Sequence, residues 1–262
     1  YNSIPMFSFI ELNINEICNR VCPFCPRVDP EIYPNQNIHM SVDLAEKIAS
    51  ELKQIEFTGI VNISGTGEPL LTKNIPEIIE KFGKNDIHIE VVTNGDVLAS
   101  KSGPEIIKKC YESVVSLYDG PEQIQYFKDL FKSCGIDESL FSLRDRWYDE
   151  SENFGLLYTN RAGTIENQKI ETAKLPCYYT HYSMYIDWNG DVLLCCQDMY
   201  NRTVKFGNAN DNKIIEIWKD ARLSEYRKML AITAMQMEEY LVKIMPIRGA
   251  DHILRMLKPR LR

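Results

Sequence analysis

Three cysteines, Cys18, Cys22 and Cys25, stand within the eight residues CNRVCPFC. Cysteines grouped this closely are typical of a metal or iron–sulfur site, because thiolates are soft metal ligands. A structural zinc site is closed by four protein ligands, whereas this loop offers three thiols and its nearest histidine is His39. Three thiolates would leave one iron of a four-iron cluster free for a substrate or cofactor. The loop therefore predicts an open, catalytic site rather than a structural one.

The cysteine count and the net charge narrow the class of protein. The chain has eight cysteines in 262 residues, and all but Cys110 and Cys134 lie within 18–25 or 177–196. Those two stand in helix-like stretches and are expected to be small core residues. A disulfide framework is typical of short secreted chains, so clustered cysteines in a long chain favour a metal site. The net charge of −7 disfavours a nucleic-acid partner, and no apolar run is long enough for a membrane span.

Strands and helices alternate along the first part of the chain and must position the cysteine loop. Repeated strand–helix units predict an α/β fold with a parallel sheet, either a complete TIM-type barrel or a partial one. The pattern predicts strands at 7–14, 59–64, 88–93, 113–118, 140–144 and 154–159, and helices at 41–55, 74–83, 103–113 and 121–135. Ser41 and Asn74 are the predicted N-terminal caps of the first two helices.

A short motif follows each of the first five predicted strands. The cysteine loop follows the first strand, and GTGEP, NGD, YDG and RDR follow the next four. In a parallel barrel these motifs lie together at the C-terminal rim, where the active sites of such folds are found. Glycine, asparagine and aspartate are also common in ordinary turns, which explains any one motif by itself. Their combination with three cysteines favours a functional rim.

The pattern changes after about residue 165. Residues 1–165 form the predicted barrel core, and 166–262 form a smaller extension of a β-hairpin and helices. Alternating strands around Asn189-Gly190 predict the hairpin over 183–196, because Asn-Gly is a favoured two-residue turn. Helices are predicted at 211–220 and 222–245.

The cysteine loop resembles the CxxxCxΦC signature of radical S-adenosylmethionine (SAM) enzymes, with Phe24 in the aromatic position. The stretch SGTGEPLL is similar to the GGE motif of that family, with Gly67 and Glu68 in its last two places and Thr66 in its middle place. The resemblance covers roughly residues 6–165 and implies a partial (β/α)6 barrel. It also implies a [4Fe-4S] cluster on the three cysteines, whose free iron chelates SAM. The reduced cluster would cleave SAM to a 5′-deoxyadenosyl radical that abstracts hydrogen from a substrate.

The resemblance implies roles for further residues at the rim. Glu68 would accept a hydrogen bond from the SAM amino group, and Arg144 would bind the SAM carboxylate. Asp119 and Arg146 point to the same rim and are expected to contact substrate, Asp119 as a catalytic residue. The strand-end residues also have a plain interpretation as surface polar groups. The cofactor-binding residues predicted in this way are Phe24, Gly67, Glu68, Asn94, Ser116 and Arg144.

A second cysteine group resembles the opening of the auxiliary-cluster extensions called SPASM and twitch domains. Seventeen residues separate Cys177 from Cys195, and Gly190 stands five residues before Cys195. Both cysteines are therefore predicted iron ligands. Relatives supply further cysteines downstream, but none follows Cys196 here, so the extension is either degenerate or completed by other groups. Cys196 is a candidate third ligand, with Asp198 as a fourth, or a catalytic hydrogen donor, although neighbouring strand residues point to opposite faces.

The resemblance implies oxidation or epimerisation of a compact polar substrate, such as a carbohydrate or an aminocyclitol. Dehydrogenation releases a second electron, which an auxiliary cluster would accept. The implied partners are a small molecule and an electron donor such as flavodoxin or ferredoxin, and iron–sulfur chemistry places the chain in the reducing cytoplasm. Peptide modification is the second alternative within this family. A non-catalytic zinc scaffold, with His39 as a fourth ligand, is an alternative of another class, and action on RNA is disfavoured by the acidic charge.

Overall fold

The computed structural model describes residues 7–100, 102–147, 164 and 176–231. Three predicted features lie wholly or mostly outside these ranges: the strand at 154–159, the boundary after 165 and the second half of the helix at 222–245. Among the described residues, no helix is both long and apolar enough to cross a membrane.

One eight-stranded sheet organises the described chain, in the order β5-β4-β3-β2-β1-β6-β7-β8. The six strands from β5 to β6 pair in parallel, and β7 and β8 continue the sheet in antiparallel fashion. The strands are β1 Phe9–Leu12, β2 Ile60–Ile63, β3 His88–Thr93, β4 Glu112–Leu117, β5 Phe141–Asp145, β6 Ser183–Ile186, β7 Asp191–Leu193 and β8 Lys205–Asn208. The predicted partial barrel of the TIM type is confirmed, with its sheet open at β5.

The helices are α1 Val42–Gln54, α2 Ile75–Gly83, α3 Gly103–Ile107, α4 Glu122–Ser133, α5 Tyr179–Tyr182, α6 Ile214–Trp218 and α7 Ala221–Leu230. The predicted Ser41 cap of α1 is confirmed, since its side chain accepts from the Leu44 amide at 3.1 Å. The predicted Asn74 cap of α2 is wrong in its chemistry, because the Asn74 side chain makes no capping bond. Helix α3 ends earlier than predicted, because the Tyr111 amide already donates to the Ile89 carbonyl of β3.

The two faces of the sheet differ in polarity because side chains alternate along a strand. On one face Ile10 and Leu12 of β1 are fully buried in the core that includes α1 and α2. On the opposite face Glu11 of β1 stands in register with Asn62 of β2, and Asn62 with Glu90 of β3. The partial barrel therefore has an apolar outer layer under its helices and a polar inner face.

Strand β6 joins the hairpin to the barrel. It pairs in parallel with β1, placing Tyr185 beside Glu11, so the sheet is continuous from the core into the predicted extension. The hairpin itself is confirmed: Gly190 adopts φ +89° in the turn, and its amide donates to Asp187 O at 2.8 Å. The sequence placed this hairpin correctly but did not indicate that it supplies the sixth parallel strand.

Candidate active site

The cysteine loop follows β1 and is held in shape by hydrogen bonds to its backbone. Asn35 brackets Cys18, accepting from its amide at 2.9 Å and donating to its carbonyl at 3.0 Å. The Cys25 amide donates to the Cys22 carbonyl at 2.9 Å, and Cys25 begins the short 3₁₀ turn Pro26–Val28. All three thiols are free and partly buried. The loop is therefore arranged for ligation by protein contacts alone.

The electrostatics of the three thiols fit an iron–sulfur cluster. Burial raises the pKa of Cys22 to about 12, and the nearby Cys25 and Cys18 thiolates raise it further. Burial likewise raises the pKa of Cys18. Within the described ranges no three such side chains converge tightly enough for a single metal ion. In a cluster each thiolate binds a separate iron, so the three sulfurs need not converge on one point, and the positive irons would stabilise the ionised form of each thiol.

Arg20 ties the cysteine loop to two other rim loops. Its guanidinium lies 2.6 Å from Asp96 Oδ1 and 2.6 Å from Asp119 Oδ2, and it packs over the Tyr118 ring at 5.1 Å. This ion pair lowers the pKa of Asp119 below its ordinary value. Asp119 is thus placed as an anchor of the cysteine loop, whereas its predicted catalytic contact with substrate stays a prediction.

The GTGEP loop packs directly beneath the cysteine loop. A Cβ at Gly67 would lie 1.7 Å from Asn15 Oδ1 and 2.7 Å from Ile17 O, so only glycine fits. The next amide, that of Glu68, donates to Ile17 O at 2.8 Å. Gly67 was predicted as a cofactor-binding residue; in this structure it allows two loops to approach each other closely.

Glu68 is a deeply buried acid of the rim, with 2% of its surface exposed. Its Oε1 accepts from Thr93 Oγ1 at 2.6 Å and from the Leu70 amide at 3.0 Å, and its Oε2 accepts from the Asn94 amide at 2.8 Å. Burial nevertheless raises its pKa to about 7. A carboxylate has about four lone-pair positions, so three donors leave one for a ligand. The predicted contact with the SAM amino group stays a prediction.

The raised pKa of Glu68 makes the stability of the apo-protein pH-dependent. Its pKa is 4.5 ordinarily and about 7 in the fold, so the folded state holds the extra proton between these values and loses stability as pH rises through them. Glu68→Gln removes this titration. We expect the stability of the variant relative to the wild type to rise by about 3 kcal/mol from pH 4.5 to 7.5, measured by urea unfolding. A parallel pH dependence in both proteins would contradict this.

The other predicted site residues lie on strands β4 and β5 or in the loops that follow β1 and β3. Asn94 follows β3 and donates to Asn19 Oδ1 of the cysteine loop at 2.8 Å. Ser116 is buried on β4, in register with the exposed Arg144 of β5. Phe24 stacks on Tyr118, with ring centroids 6.0 Å apart. A cleft of about 300 Å³ opens here, lined by Arg20, Val21, Cys22, Pro23, Phe24, Tyr118, Asp119, Arg146 and Trp147.

Sequence reasoning did not single out Tyr118 as a site residue. Its ring forms the cleft wall between Phe24 and Arg20. Burial raises its pKa to about 12, so it stays a neutral hydroxyl at physiological pH. The signal that could have found it is the YDG motif, in which the aspartate was the more obvious candidate for chemistry.

A buried ionic network around Glu16 connects the cysteine loop to the hairpin. The Glu16 carboxylate accepts from Tyr33 Oη at 2.5 Å and from Trp188 Nε1 at 2.8 Å. It also pairs with Arg27 of the cysteine loop at 3.4 Å and with Arg202, which follows β7. Only the fold brings these groups together, so no local sequence pattern could have indicated them.

Cys195 and Cys196 lie in the turn that follows β7, which ends at Leu193, so the strand alternation expected for them does not apply. Burial is the main cause that raises the pKa of Cys195 to about 11, and the charge of a Cys177 thiolate is a minor one. Cys177 and Cys195 are both free thiols and remain candidate ligands. Cys196 instead neighbours Glu11 and Tyr179, whose hydroxyl donates to Glu11. This placement brings Cys196 to the polar inner face beside Glu11, and its roles as a ligand or a hydrogen donor stay predictions.

Asp198 was a candidate fourth ligand, and the structure assigns its carboxylate to its own loop. Its Oδ1 accepts from the Thr203 amide at 3.1 Å and its Oδ2 from the Val204 amide at 3.0 Å. The side chain is 2% exposed. Both oxygens are therefore engaged in holding the turn that leads from β7 to β8, and the predicted ligand role is not supported.

Two family models match separate parts of the chain. A model of the radical SAM superfamily matches residues 12–126, and a model of the SPASM iron–sulfur cluster-binding domain matches residues 177–240. The first match contains the cysteine loop, the GTGEP loop and Arg20 with both of its partners. The second contains Cys177, Cys195 and Cys196.

The similarity to one curated relative runs along nearly the whole chain. The S-adenosyl-L-methionine-dependent 2-deoxy-scyllo-inosamine dehydrogenase of Niallia circulans is 25% identical over 232 residues, covering 86% of this chain and 87% of the relative. The GTP 3′,8-cyclase of Ectopseudomonas mendocina (strain ymp) is 26% identical over 104 residues, covering 37% of this chain and 29% of the relative.

Solved structures show the same fold. The structure of BtrN in complex with AdoMet and 2-DOIA aligns with a TM-score of 0.69 at 24% identity, covering 86% of this chain and 87% of that chain. The structure of SuiB from Streptococcus suis bound to precursor peptide SuiA aligns with a TM-score of 0.54 at 17% identity, covering 86% of this chain and 69% of that chain. At these identities the likeness concerns the fold alone.

Proposed function

Because the chain belongs to the radical SAM superfamily and carries a SPASM domain, we propose that it is a SAM-dependent dehydrogenase acting on an aminocyclitol, a cyclic polyol that bears an amino group. The observation that carries this proposal is the near-complete coverage of both chains in the similarity to 2-deoxy-scyllo-inosamine dehydrogenase. The small substrate and the oxidation follow from it, and an epimerase or a peptide-modifying enzyme is the alternative to be tested.

The three-thiol loop fits the cofactor of this reaction. Cys18, Cys22 and Cys25 would hold a [4Fe-4S] cluster, which supplies the electron for reductive cleavage of SAM. Arg20 fixes the loop through Asp96 and Asp119, and Phe24 and Tyr118 form the wall of the adjoining cleft. These groups would orient the cofactor and exclude water from the reacting carbon.

The polar inner face supports a substrate with an amino group. Four residues stand in one register row across neighbouring strands: Glu11, Asn62, Glu90 and Glu112. Next to Glu11 in this row, Tyr185 is 1% exposed, and its hydroxyl has no hydrogen-bond partner within the described structure. Carboxylates on a partly desolvated face bind an ammonium group by charge-assisted hydrogen bonds. A row of this kind suits an aminated ring better than a neutral sugar.

Dehydrogenation requires an outlet for a second electron. The alcohol carbon loses one hydrogen atom to the SAM-derived radical, and then one electron and the hydroxyl proton leave to form the ketone. Cys177 and Cys195 support an auxiliary iron–sulfur cluster as the acceptor of that electron, although the sequence has no cysteine after Cys196. A flavodoxin or ferredoxin of the reducing cytoplasm would provide the first electron.

The test is turnover of 2-deoxy-scyllo-inosamine by the anaerobically reconstituted protein with SAM and a reductant. We expect equal amounts of 5′-deoxyadenosine and ketone, with deuterium carried from the alcohol carbon into 5′-deoxyadenosine. We also expect Glu11→Gln to raise KM for the amino substrate about tenfold, because a charge-assisted contact of about 1.4 kcal/mol is lost. The same change should leave KM for the analogue with a hydroxyl in place of the amine unaltered.

Glu77→Gln is the matched control, because Glu77 lies on the exposed surface of α2 away from the inner face. A similar KM increase for both substrates in Glu11→Gln would contradict recognition of the amine. If the product is an epimerised ring and no ketone forms, the enzyme is an epimerase and not a dehydrogenase. Turnover of peptides but of no cyclitol would overturn the substrate class.

A further inference from the structure

Tyr200 brings a hydroxyl from the SPASM half of the chain to the primary cysteine loop. Its Oη lies 3.4 Å from Cys25 Sγ, although 175 residues separate the two in sequence. Either group could donate in the protonated state. Once Cys25 ligates iron as a thiolate it has no proton, so the tyrosine must be the donor.

The neighbours of Tyr200 restrict the orientation of its ring. Tyr33 packs against it edge to face, with ring centroids 4.8 Å apart and an interplanar angle of 82°. Tyr33 is itself held by its hydrogen bond to Glu16 and by two guanidinium groups over its ring, Arg27 at 4.9 Å and Arg202 at 5.6 Å. The buried network that connects the cysteine loop to the hairpin thus orients the Tyr200 hydroxyl toward Cys25 Sγ.

A hydrogen bond to a cluster thiolate stabilises the reduced, more negative state and raises the reduction potential. We infer that Tyr200 is a positioning residue of the SPASM half that donates to the Cys25 thiolate and thereby raises the reduction potential of the primary cluster. This rests on the proposed [4Fe-4S] site but is independent of the substrate. Tyr200 lies in the loop after β7, so the position of that loop would affect the reduction potential of the cluster that reduces SAM.

The test is a potentiometric titration of the reconstituted protein followed by EPR, using the [4Fe-4S]⁺ signal that changes when SAM is added. Tyr200→Phe keeps the ring and removes the donor. We expect a more negative midpoint potential, with the equilibrium constant for one-electron reduction lowered up to tenfold, which corresponds to about 59 mV. Pulsed EPR in D₂O should show one exchangeable deuteron coupling in the wild type that is absent from the variant.

Tyr126→Phe is the matched control, because Tyr126 is exposed on α4, a helix that follows β4, whereas the cysteine loop follows β1. Equal iron content with an unchanged potential and an unchanged deuteron coupling in Tyr200→Phe would overturn the inference and leave the proposed function intact. A wild type without iron would overturn both. A variant that is folded by circular dichroism but binds no iron would also overturn it, because the hydroxyl would then serve cluster assembly rather than potential.

Discussion

Replacing Cys18, Cys22 and Cys25 together by alanine is expected to abolish SAM cleavage and to remove about four irons per chain. The three thiols are partly buried and free in the protein, and burial raises the pKa of Cys18 and of Cys22. Iron and sulfide are to be counted after anaerobic reconstitution, and 5′-deoxyadenosine formation measured in the presence of a reductant.

The iron that survives in the triple variant reports on the second cysteine group. A wild type with about eight irons, of which about four remain in the variant, would indicate a complete auxiliary cluster near Cys177 and Cys195. A wild type with about four irons and a variant with none would place the second electron on an external acceptor. Cys134→Ala is the control, since Cys134 is a lone thiol at the end of α4 and should retain all iron. Full iron in the triple variant would contradict the assignment of the loop.

Replacing Arg27 by methionine is expected to lower the free energy of unfolding by about 3 kcal/mol. The Arg27 side chain is 3% exposed and donates to Thr66 O at 2.7 Å and Glu16 O at 2.6 Å. It also pairs with the Glu16 carboxylate, whose side chain is 4% exposed. Methionine fills the space but leaves those acceptors without their donor, and Arg202 still neutralises part of the Glu16 charge. Urea unfolding of the apo-protein at pH 7 measures the change.

The matched control for this prediction is Arg222→Met on α7. The Arg222 side chain is 63% exposed, and its contacts with Asp220 at 3.6 Å, Lys205 O at 3.2 Å and the Phe206 ring at 5.7 Å lie at the surface. The change should therefore stay within about 0.5 kcal/mol. A loss below about 1 kcal/mol in Arg27→Met would contradict an important role of the network. Because the network joins the cysteine loop to the hairpin, Arg27→Met should also reduce the iron retained after gel filtration, and Arg222→Met should not.

The sequence by itself determined those features that depend on neighbours along the chain. The spacing of Cys18, Cys22 and Cys25 is a local requirement of cluster ligation, so eight consecutive residues are enough to indicate the family. The Ser41 cap and the Asn189-Gly190 turn are also local, because a capping oxygen or a left-handed glycine acts on residues at most a few positions away. The alternation expected for Cys195 and Cys196 does not apply, because β7 ends at Leu193 and both cysteines lie in the turn after it.

Local signals were insufficient where two of them competed. Asn74 has the residue type of a cap, but its backbone at φ −95° and ψ 13° is not extended as in a usual cap, and its side chain makes no capping bond. The helical pattern of 103–113 was overridden by pairing of the following residues with β3. In this second case the gain from tertiary contacts exceeded a helix propensity of less than about 1 kcal/mol per residue.

The tertiary structure alone decided which distant groups meet. Arg20 pairs with Asp96 and Asp119, which lie 76 and 99 residues away. Glu16 meets Trp188 across 172 residues, and Tyr200 meets Cys25 across 175. The Arg20 contacts depend on the order of β1 to β4 in the sheet, and the other two depend on β6 pairing with β1. A side-chain pattern within a strand specifies burial but not the partner strand. The sequence therefore identified the chemistry of the cysteine loop, and the fold determined which residues hold it and tune it.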